Sequence, residues 1–346
     1  MFKQGLLLVN LGSPDGPTKS EVRRYLREFL MDERVLDVNP ITRWLLVNFG
    51  IIPRRVGQST RAYSSIWTSK GSPLVSAGRS VAEKLEASTG MPVALAMRHG
   101  KPSVSLALRR LYRAGVRELT VLPLFPQYAR SSYGSVVEHV EQEMKTLVPG
   151  MEYRVIPPFF EEPAYLDALA ASAAPFLSHQ FDHVLLSFHG LPERHLTKSD
   201  PTGSHCLGSE HCCELISPAR RTCYRAQCLA TSRALMTRLK IPADKWSVSF
   251  QSRLAGETWM RPYTEQTLVA LGTRGIEHLY VICPSFVADC LETLEEIAIR
   301  GKETFHSAGG GELTLIPCLN DHPAWIKALT TIVSRRPSEA ETLHAH

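Results

Sequence analysis

Residues 183–192 read HVLLSFHGLP, an apolar run that ends abruptly at a histidine, a glycine and a proline. Residues 184–188 have the continuous apolar character of a buried parallel strand. His189 would therefore stand at the carboxyl end of that strand, where open parallel sheets bind their ligands. The stretch predicts an α/β fold and a candidate catalytic histidine, with a purely structural histidine as the alternative.

The length and composition indicate which class of protein this sequence forms. The chain has 346 residues, 44% hydrophobic and 21% charged, which suits a globular protein of two ordinary domains. No apolar run approaches the ~20 uncharged residues of a membrane span. We interpret the apolar run at residues 5–11 as a first strand and not as a signal peptide. The net charge of +5 is spread among acidic residues, which argues against a nucleic-acid partner.

Strands alternate with helices along the first half of the sequence. Residues 5–11, 92–97 and 118–124 have the pattern of buried strands, and residues 105–113 have that of an amphipathic helix. Such alternation predicts a doubly wound α/β domain. Residues 38–63, rich in Trp, Ile, Arg and Pro, fit either an apolar flap over a pocket or a second core helix.

The second half of the sequence repeats the first. At an offset of 160 residues, the leucine, glycine and valine pattern around Leu119 recurs around Leu279. At an offset of 178, the segment LLVNLGSP, which contains Leu11, falls on LLSFHGLP, which contains His189. We expect two similar halves that face each other across a cleft. A generic likeness between any two α/β units is the alternative.

Two common nucleotide-binding motifs are missing from the sequence. The turn after the first strand, GSPDGP, lacks the G-x-G-x-x-G spacing of a dinucleotide-binding loop, and no G-K-[ST] phosphate loop occurs. The sequence therefore argues against nicotinamide and ATP chemistry.

A row of carboxylates follows the apolar strand predicted at residues 278–283. We predict a helix from Val287 to about residue 299, on which Asp289, Glu292 and Glu296 share one face. Beside a neutral imidazole, such a row can carry protons or hold a divalent ion in transit. A solvated helix face with favourable charges in its first turn would have the same pattern.

Five cysteines fall within 23 residues: Cys206, Cys212, Cys213, Cys223 and Cys228. This density predicts a metal site, and the lack of C-x₂-C knuckles favours a [2Fe–2S] cluster over zinc, with free or redox thiols as a third reading. Since adjacent cysteines usually point apart, we expect Cys206, Cys223 and Cys228 as ligands with one of the other two. Eight cysteines without a secretory signal predict a reducing, cytoplasmic location.

Taken together, the motifs resemble those of ferrochelatase, the enzyme that inserts ferrous iron into a porphyrin at the end of haem synthesis. The resemblance covers roughly residues 5–329, and its motifs are VNLGSP from Val9, LPLFPQY from Leu122, SFHGLP from Ser187, FQSRLAGETWMRP from Phe250 and CPSFVADCLETLEE from Cys283. It implies a chelatase-like α/β fold of two similar Rossmann-like domains, each with a parallel four-stranded sheet, and the porphyrin in the cleft between them.

We place the domains accordingly. The first is expected at residues 1–162 and the second at residues 163–319, with a cysteine-rich insert at residues 199–228. A helix at about residues 320–334 is expected to pack back on the first domain.

The resemblance also implies roles for the acidic row and its histidine. His189 matches the family's active-site histidine, proposed to take pyrrole protons or to bind iron. Glu292 matches its carboxylate partner, proposed to relay protons or metal, so these two residues would contact the Fe²⁺ substrate. Asp289 belongs to the same acidic path. Cys290 is a departure, because many members of the family have histidine there.

Five positions match the porphyrin pocket of the family: Leu11, Arg98, Tyr128, Arg130 and Trp259. Leu11 would pack on the face of the macrocycle. Arg98 and Arg130 would meet the propionates, for which a guanidinium fork is suited.

The resemblance implies porphyrin and ferrous iron as partners, and some bacterial members carry a [2Fe–2S] cluster in an internal insert of this kind. Two other functions stay open: a tetrapyrrole carrier without turnover, and a chelatase for another metal or for coproporphyrin. The segment at residues 44–52 would either touch a membrane surface or cover the cleft.

Overall fold

A computed structural model of the chain describes residues 3–253 and 257–335. Three residues of the motif that starts at Phe250, residues 254–256, lie outside this part. The structure contains two sheets of four parallel strands each. The strands are β1 (Lys3–Ser13), β2 (Val93–Gly100), β3 (Val116–Pro123), β4 (Glu152–Val155), β5 (His183–His189), β6 (Trp246–Gln251), β7 (His278–Ile282) and β8 (Glu312–Leu315).

Helices connect the strands in both halves. The α-helices are α1 (Lys19–Leu30), α2 (Pro40–Leu45), α3 (Ile52–Ile66), α4 (Pro73–Thr89), α5 (Val104–Arg113), α6 (Ser135–Leu147), α7 (Pro163–Leu177), α8 (Glu193–Lys198), α9 (Tyr224–Leu239), α10 (Thr264–Thr273), α11 (Leu291–Leu294), α12 (Lys302–Ser307) and α13 (Pro323–Ser334). Short π-helices occur at Leu46–Ile51, Arg130–Gly134 and Glu296–Gly301. Such segments are often found at functional sites.

The two sheets have the same topology, β2-β1-β3-β4 in the first half and β6-β5-β7-β8 in the second. Their registers also agree, since Leu7 pairs with Val121 and Leu185 pairs with Val281. The offset of 178 therefore relates β1 to β5 and the offset of 160 relates β3 to β7, with the same pairing of residues in both sheets. The predicted α/β class, with two similar four-stranded parallel sheets, is confirmed.

Two edge strands were not predicted from the sequence. β4 lies just before the predicted domain boundary at residue 162, and its four residues are exposed or half-buried. β6 begins with half-buried residues in the same way. Short edge strands bury too little apolar surface to give a periodic signal. The last residues of the predicted cysteine-rich insert form the start of α9, which begins at Tyr224.

Two helices at equivalent positions of the repeat pack on each other. The helices α7 and α13 are related by the offset of 160 and pack on each other, while α7 also contacts α9 and α13 also contacts α4. Tyr165 and Trp325, at equivalent positions, are fully buried, with ring centroids 5.9 Å apart. One continuous cluster of buried residues extends from β1 to β5. A shared core therefore holds the two sheets in a defined relation.

Residues 38–63 contain the core helix that was one of the two predicted alternatives, preceded by an exposed apolar segment. α3 is a core helix, whose inner face includes Val56 and Tyr63. Before it, an exposed apolar segment is formed by Ile41, Trp44, Leu45, Leu46 and Phe49, with Ile41 75% and Phe49 66% exposed. None of the helices in residues 3–253 and 257–335 combines the length and apolarity that a bilayer-spanning segment requires.

Candidate active site

His189 is the last residue of β5 and pairs in register with Gln251, the last residue of β6. Its backbone N–H donates to Ser285 Oγ (3.2 Å), and its Nδ1 lies 2.6 Å from Gly190 O. Because a carbonyl oxygen only accepts, this contact places a hydrogen on Nδ1 and leaves the Nε2 lone pair of the neutral ring available. His189 is thus oriented as a proton acceptor or metal ligand.

Glu292 lies in the first turn of α11, and its main chain is tied to the strand that carries Gln251. The Gln251 side chain donates through Nε2 to Glu292 O at 2.6 Å. The structure therefore brings the segment of Glu292 to the same strand ends as His189.

Glu296 begins the π-helix that follows α11 and turns toward Ser252, the residue after β6. Its carboxylate accepts from the backbone N–H of Ser252 at 2.8 Å and from the Ser252 hydroxyl. Burial raises the pKa of Glu296 above its usual value, although the Ser252 hydrogen bonds and His189 oppose that shift. This carboxyl group is therefore suited to hold a proton close to the histidine.

Asp289 is placed differently from the prediction. The helix begins at Leu291 and not at Val287, so Asp289 precedes it. Its carboxylate accepts from Thr293 Oγ1 (3.1 Å), Cys318 N (3.2 Å) and Asn320 Nδ2 (2.6 Å). The predicted helix start was wrong because an apolar pattern cannot distinguish the loop of residues 284–290 from a first turn. Asp289 joins this loop to the loop that follows β8.

Residues of the first half pack against the acidic segment. Leu291 and Leu294 pack on the buried cluster that includes Tyr25 and Tyr63 from α1 and α3. Burial raises the pKa of both tyrosines, and the nearby Glu292 adds to this effect. Both phenols are thus neutral hydrogen-bonding groups beside the segment of Glu292.

Arg98, predicted to meet a propionate, is largely committed to partners within the protein. Its Nη2 lies 2.8 Å from Asp32 Oδ2 and its Nε donates to Ser135 Oγ at 2.9 Å, which leaves its side chain 19% exposed. Arg130 is exposed at the start of the π-helix Arg130–Gly134. Of the two predicted propionate ligands, Arg130 is the more accessible one.

We expect Asp32→Asn to destabilise the fold by about 3–5 kcal/mol, because it removes one partner of a buried charge pair. Burial alone would raise the pKa of Asp32, but the hydrogen bonds from Ser135 and Arg34 and the charge of Arg98 lower it overall. A lowered pKa in the folded state gives stability above the unfolded pKa, about 3.9, that is lost as the pH falls. The difference in unfolding free energy between parent and variant should therefore shrink toward low pH.

Urea unfolding between pH 3 and pH 7 measures this difference. Asp167→Asn, in a pair with Arg238 whose carboxylate is 70% exposed, is the matched control and should cost less than about 1 kcal/mol. Equal losses for the two variants would contradict the importance of the buried pair.

Tyr128 and Trp259 have different environments within the predicted pocket. The backbone N–H of Tyr128 donates to Gln227 Oε1 at 2.7 Å, and its ring centroid lies 5.7 Å from that of Tyr133. Trp259 is buried, forms a β-bridge with Pro192, and its indole N–H has no partner within the described residues. Trp259 therefore lies beside the HGLP turn, while Leu11 is half-buried near the end of β1.

Charged side chains join the two halves next to this turn. Arg194 in α8 contacts Asp37 (Nη1–Oδ2, 3.1 Å) and Glu257 (Nε–Oε2, 2.6 Å), and Lys198 also pairs with Asp37. Hydrogen bonding from Lys198 lowers the pKa of Asp37 in spite of some burial. The loop before the exposed apolar segment is thus tied to the helix that follows His189.

Four of the five clustered cysteines line one small cavity: Cys206, Cys212, Cys213 and Cys223. The Sγ atoms of Cys212 and Cys213 are 4.0 Å apart, so these adjacent residues do not point away from each other. Cys223 is the N-cap residue of α9. A hydrogen bond from Cys213 lowers the pKa of Cys223 to about 6, and the backbone N–H groups of α9 contribute to this shift.

The loop that carries these cysteines is organised by Asp200. Its carboxylate accepts from the backbone N–H groups of His205 (2.7 Å) and Cys206 (2.8 Å) and from Thr202. Hydrogen bonds of this kind, chiefly the one from Cys206, lower the pKa of Asp200 to about 2. The loop geometry around Cys206 therefore does not depend on the cysteines alone.

Cys228, which we had expected among the ligands, does not line this cavity. It is fully buried inside α9 beside Tyr224, and burial raises the pKa of its thiol well above the usual value. Among the described residues, no three His, Cys, Asp or Glu side chains are arranged so that they could hold a metal ion. The cavity nevertheless has four thiols in its lining.

Sequence reasoning missed Gln251 and Ser252 as residues of the site. Both occur in the quoted motif that starts at Phe250, and that motif was their only signal. Their polar contacts with the acidic segment depend on long-range packing.

Several known proteins are similar to this chain over nearly its whole length. The family model described as Ferrochelatase matches residues 3–337. A protein named Ferrochelatase from Azotobacter vinelandii is 52% identical over 334 residues, which are 96% of this chain and 98% of that protein. Another of the same name, from Pseudomonas fluorescens, is 51% identical over 339 residues, 97% of this chain and 99% of that protein.

Solved structures show the same fold at low identity. SirB from Bacillus subtilis with Fe³⁺ aligns with a TM-score of 0.54 at 12% identity, over 96% of this chain and 94% of that chain. The sirohydrochlorin chelatase SirB from Bacillus subtilis subspecies spizizenii, in complex with cobalt, aligns with the same TM-score at 11% identity. These two likenesses concern the fold alone.

Proposed function

The chain belongs to the ferrochelatase family, and on this premise we propose that it inserts ferrous iron into protoporphyrin IX, the last step of haem synthesis, with His189 and Glu292 at the reacting centre. The observation that carries the residue assignment is the juxtaposition at the ends of β5 and β6. There a histidine with an available Nε2 stands beside a strand whose last residue holds the main chain of Glu292.

The reaction explains why these residue types are needed. Fe²⁺ enters the macrocycle as two pyrrole N–H protons leave, so the site needs proton acceptors close to the nitrogens. His189 accepts a proton at Nε2. A rigid cleft that binds the macrocycle in a bent form exposes the nitrogen lone pairs and so favours the geometry of metal entry.

The carboxylates have complementary roles in this proposal. Glu292 attracts the incoming cation or passes on a proton. Glu296, whose pKa is raised by burial, takes up a proton more readily than an ordinary carboxylate at neutral pH. Asp289 is proposed to act on this path as an anchor, because its carboxylate already accepts three hydrogen bonds.

The porphyrin is proposed to contact five residues: Leu11, Arg98, Tyr128, Arg130 and Trp259. Arg130 is the proposed main propionate ligand, since its side chain is exposed. Arg98 contributes its charge from the pair with Asp32.

A parallel anaerobic assay tests the function and its rivals. The purified protein is given ferrous iron with protoporphyrin or with coproporphyrin, and metalloporphyrin formation is followed optically. Faster turnover of protoporphyrin supports the proposal, while preference for coproporphyrin would reassign the substrate. Binding of porphyrin without turnover would identify a carrier.

We further propose that Cys206, Cys212, Cys213 and Cys223 hold a [2Fe–2S] cluster. When bound, the cluster would cross-link the loop of residues 199–223 to the start of α9 and could report redox state. Zinc in the same place is the rival, and metal analysis together with the optical spectrum separates the two.

We propose that the protein acts in the cytoplasm and touches the inner face of the membrane through the exposed apolar segment. All eight cysteines lie in the described residues and are free thiols, as is usual in a reducing compartment. Exposed Arg54 and Arg55 follow the apolar segment, and such basic residues favour anionic lipid surfaces.

We expect the double variant Ile41→Ser, Phe49→Ser to bind anionic vesicles at least about tenfold more weakly, since each large apolar side chain contributes about 1.5–3 kcal/mol when buried. Co-sedimentation with phosphatidylglycerol-containing vesicles measures this. Leu106→Ser is the matched control, because Leu106 is 62% exposed on α5, away from the segment. Unchanged vesicle binding by the double variant would contradict membrane contact through this segment.

A further inference from the structure

Gln251 is the centre of a buried polar network between the two proposed reacting residues. The residue is buried, with 2% of its surface exposed. Oε1 accepts from Ser187 Oγ at 2.6 Å, and Nε2 donates to Glu292 O at 2.6 Å. One side chain therefore links the interior of β5 to the segment that bears Glu292.

The main chain of Gln251 makes a second link, to the residue after His189. Gly190 N donates to Gln251 O at 2.8 Å. A Cβ atom on Gly190 would lie only 2.8 Å from that same oxygen, so the close approach requires glycine here. Gln251 thus contacts both the residue after His189 and the main chain of Glu292.

The network continues from Ser187 through two further hydroxyl groups that do not contact Gln251. Ser187 Oγ also lies 2.9 Å from Thr264 Oγ1, which in turn lies 2.8 Å from Ser249 Oγ. All of these hydroxyl-bearing residues are buried. The amide of Gln251 offers an acceptor to Ser187 and a donor to the Glu292 carbonyl at the same time without carrying a charge.

We propose that Gln251 is a positioning residue for metal insertion, which sets the separation between His189 and the Glu292 segment. This inference rests on the proposed function of those two residues. Because a displacement of about 1 Å between reacting groups can cost about 10²-fold in rate, a lost Gln251 bridge should act on turnover. Porphyrin binding, which uses other side chains, should be preserved.

The test compares Gln251→Leu with Gln251→Glu and the control Ser249→Ala in the full-length protein. The leucine removes both hydrogen bonds, and the glutamate keeps the acceptor for Ser187 but loses the amide donor. Ser249→Ala removes a buried hydroxyl of the same network that contacts neither His189 nor Glu292. If the leucine variant does not fold, the glutamate variant still tests the donor.

The readouts are kcat and KM with ferrous iron and protoporphyrin, porphyrin affinity by fluorescence quenching, and the melting temperature. We expect both Gln251 variants to lose about 10–10²-fold in kcat, with KM and porphyrin affinity within about twofold of the parent. Ser249→Ala should keep kcat within about twofold. A folded Gln251 variant with parental kcat, or one whose porphyrin affinity falls as much as kcat, would overturn the inference.

The variant His189→Ala, assayed in parallel, distinguishes failure of the proposed function from failure of the positioning role of Gln251. If it retains turnover, the proposed function of the pair is wrong. If it is inactive while the Gln251 variants are fully active, only the positioning role fails.

Discussion

Replacing His189 by alanine should reduce the rate of iron insertion by about 10²–10⁴-fold, the usual contribution of a positioned general base. The contact of Nδ1 with Gly190 O leaves Nε2 as the only ring nitrogen that can accept a pyrrole proton or bind iron. The variant removes that group while the strand end itself is kept. Porphyrin should therefore still bind with parental affinity, and only kcat should fall.

Initial rates under anaerobic conditions and fluorescence quenching by porphyrin measure the two quantities separately. His183→Ala is a useful control, because His183 lies at the opposite end of β5 and bonds to Ser247. It should affect stability more than turnover. Turnover near the parental rate in His189→Ala would refute the assignment.

Replacing Cys223 by serine should abolish the visible absorption of the purified protein. We expect the parent protein to be coloured, with absorption that bleaches on reduction, if the proposed [2Fe–2S] cluster is present. Cys223 Sγ lies at the N-terminus of α9, where a hydrogen bond from Cys213 and the backbone N–H groups of the helix favour the thiolate that binds metal. Since such a cluster needs four protein ligands, loss of this one should remove iron and colour together.

Cys228→Ser is the matched control for this prediction. Cys228 is five residues further along the same helix but lies outside the cavity, so its variant should keep the spectrum. Loss of colour in Cys228→Ser with retention in Cys212→Ser or Cys213→Ser would instead restore the ligand set expected from spacing. A colourless, zinc-containing and active parent protein, prepared anaerobically, would reject the cluster itself.

The spacing of these cysteines in the sequence did not predict which of them line the cavity. Four residues lie between Cys223 and Cys228, as in one common iron–sulfur motif. In a helix, however, a side chain five positions further along points to a different face. Cys228 therefore points into the core beside Tyr224. Adjacent Cys212 and Cys213, expected to diverge, line one cavity because they lie in a short 3₁₀ turn.

The sequence by itself determined the α/β class, the two equivalent halves and the strand-end position of His189. These properties follow from local patterns, because a continuous apolar run predicts a buried parallel strand and a recurring pattern predicts a recurring unit. The family motifs added the candidate residues of the pocket.

Only the tertiary structure decided which of those residues act together. Asp32 binds Arg98 across 66 positions, and Gln251 reaches Glu292 across 41. Asp289 turns to Cys318 and Asn320 instead of sharing a helix face with Glu292. The physical reason is that periodicity reports the burial of a side chain, whereas its hydrogen-bond partner is set by the packing of distant segments, which leaves no pattern in the local sequence.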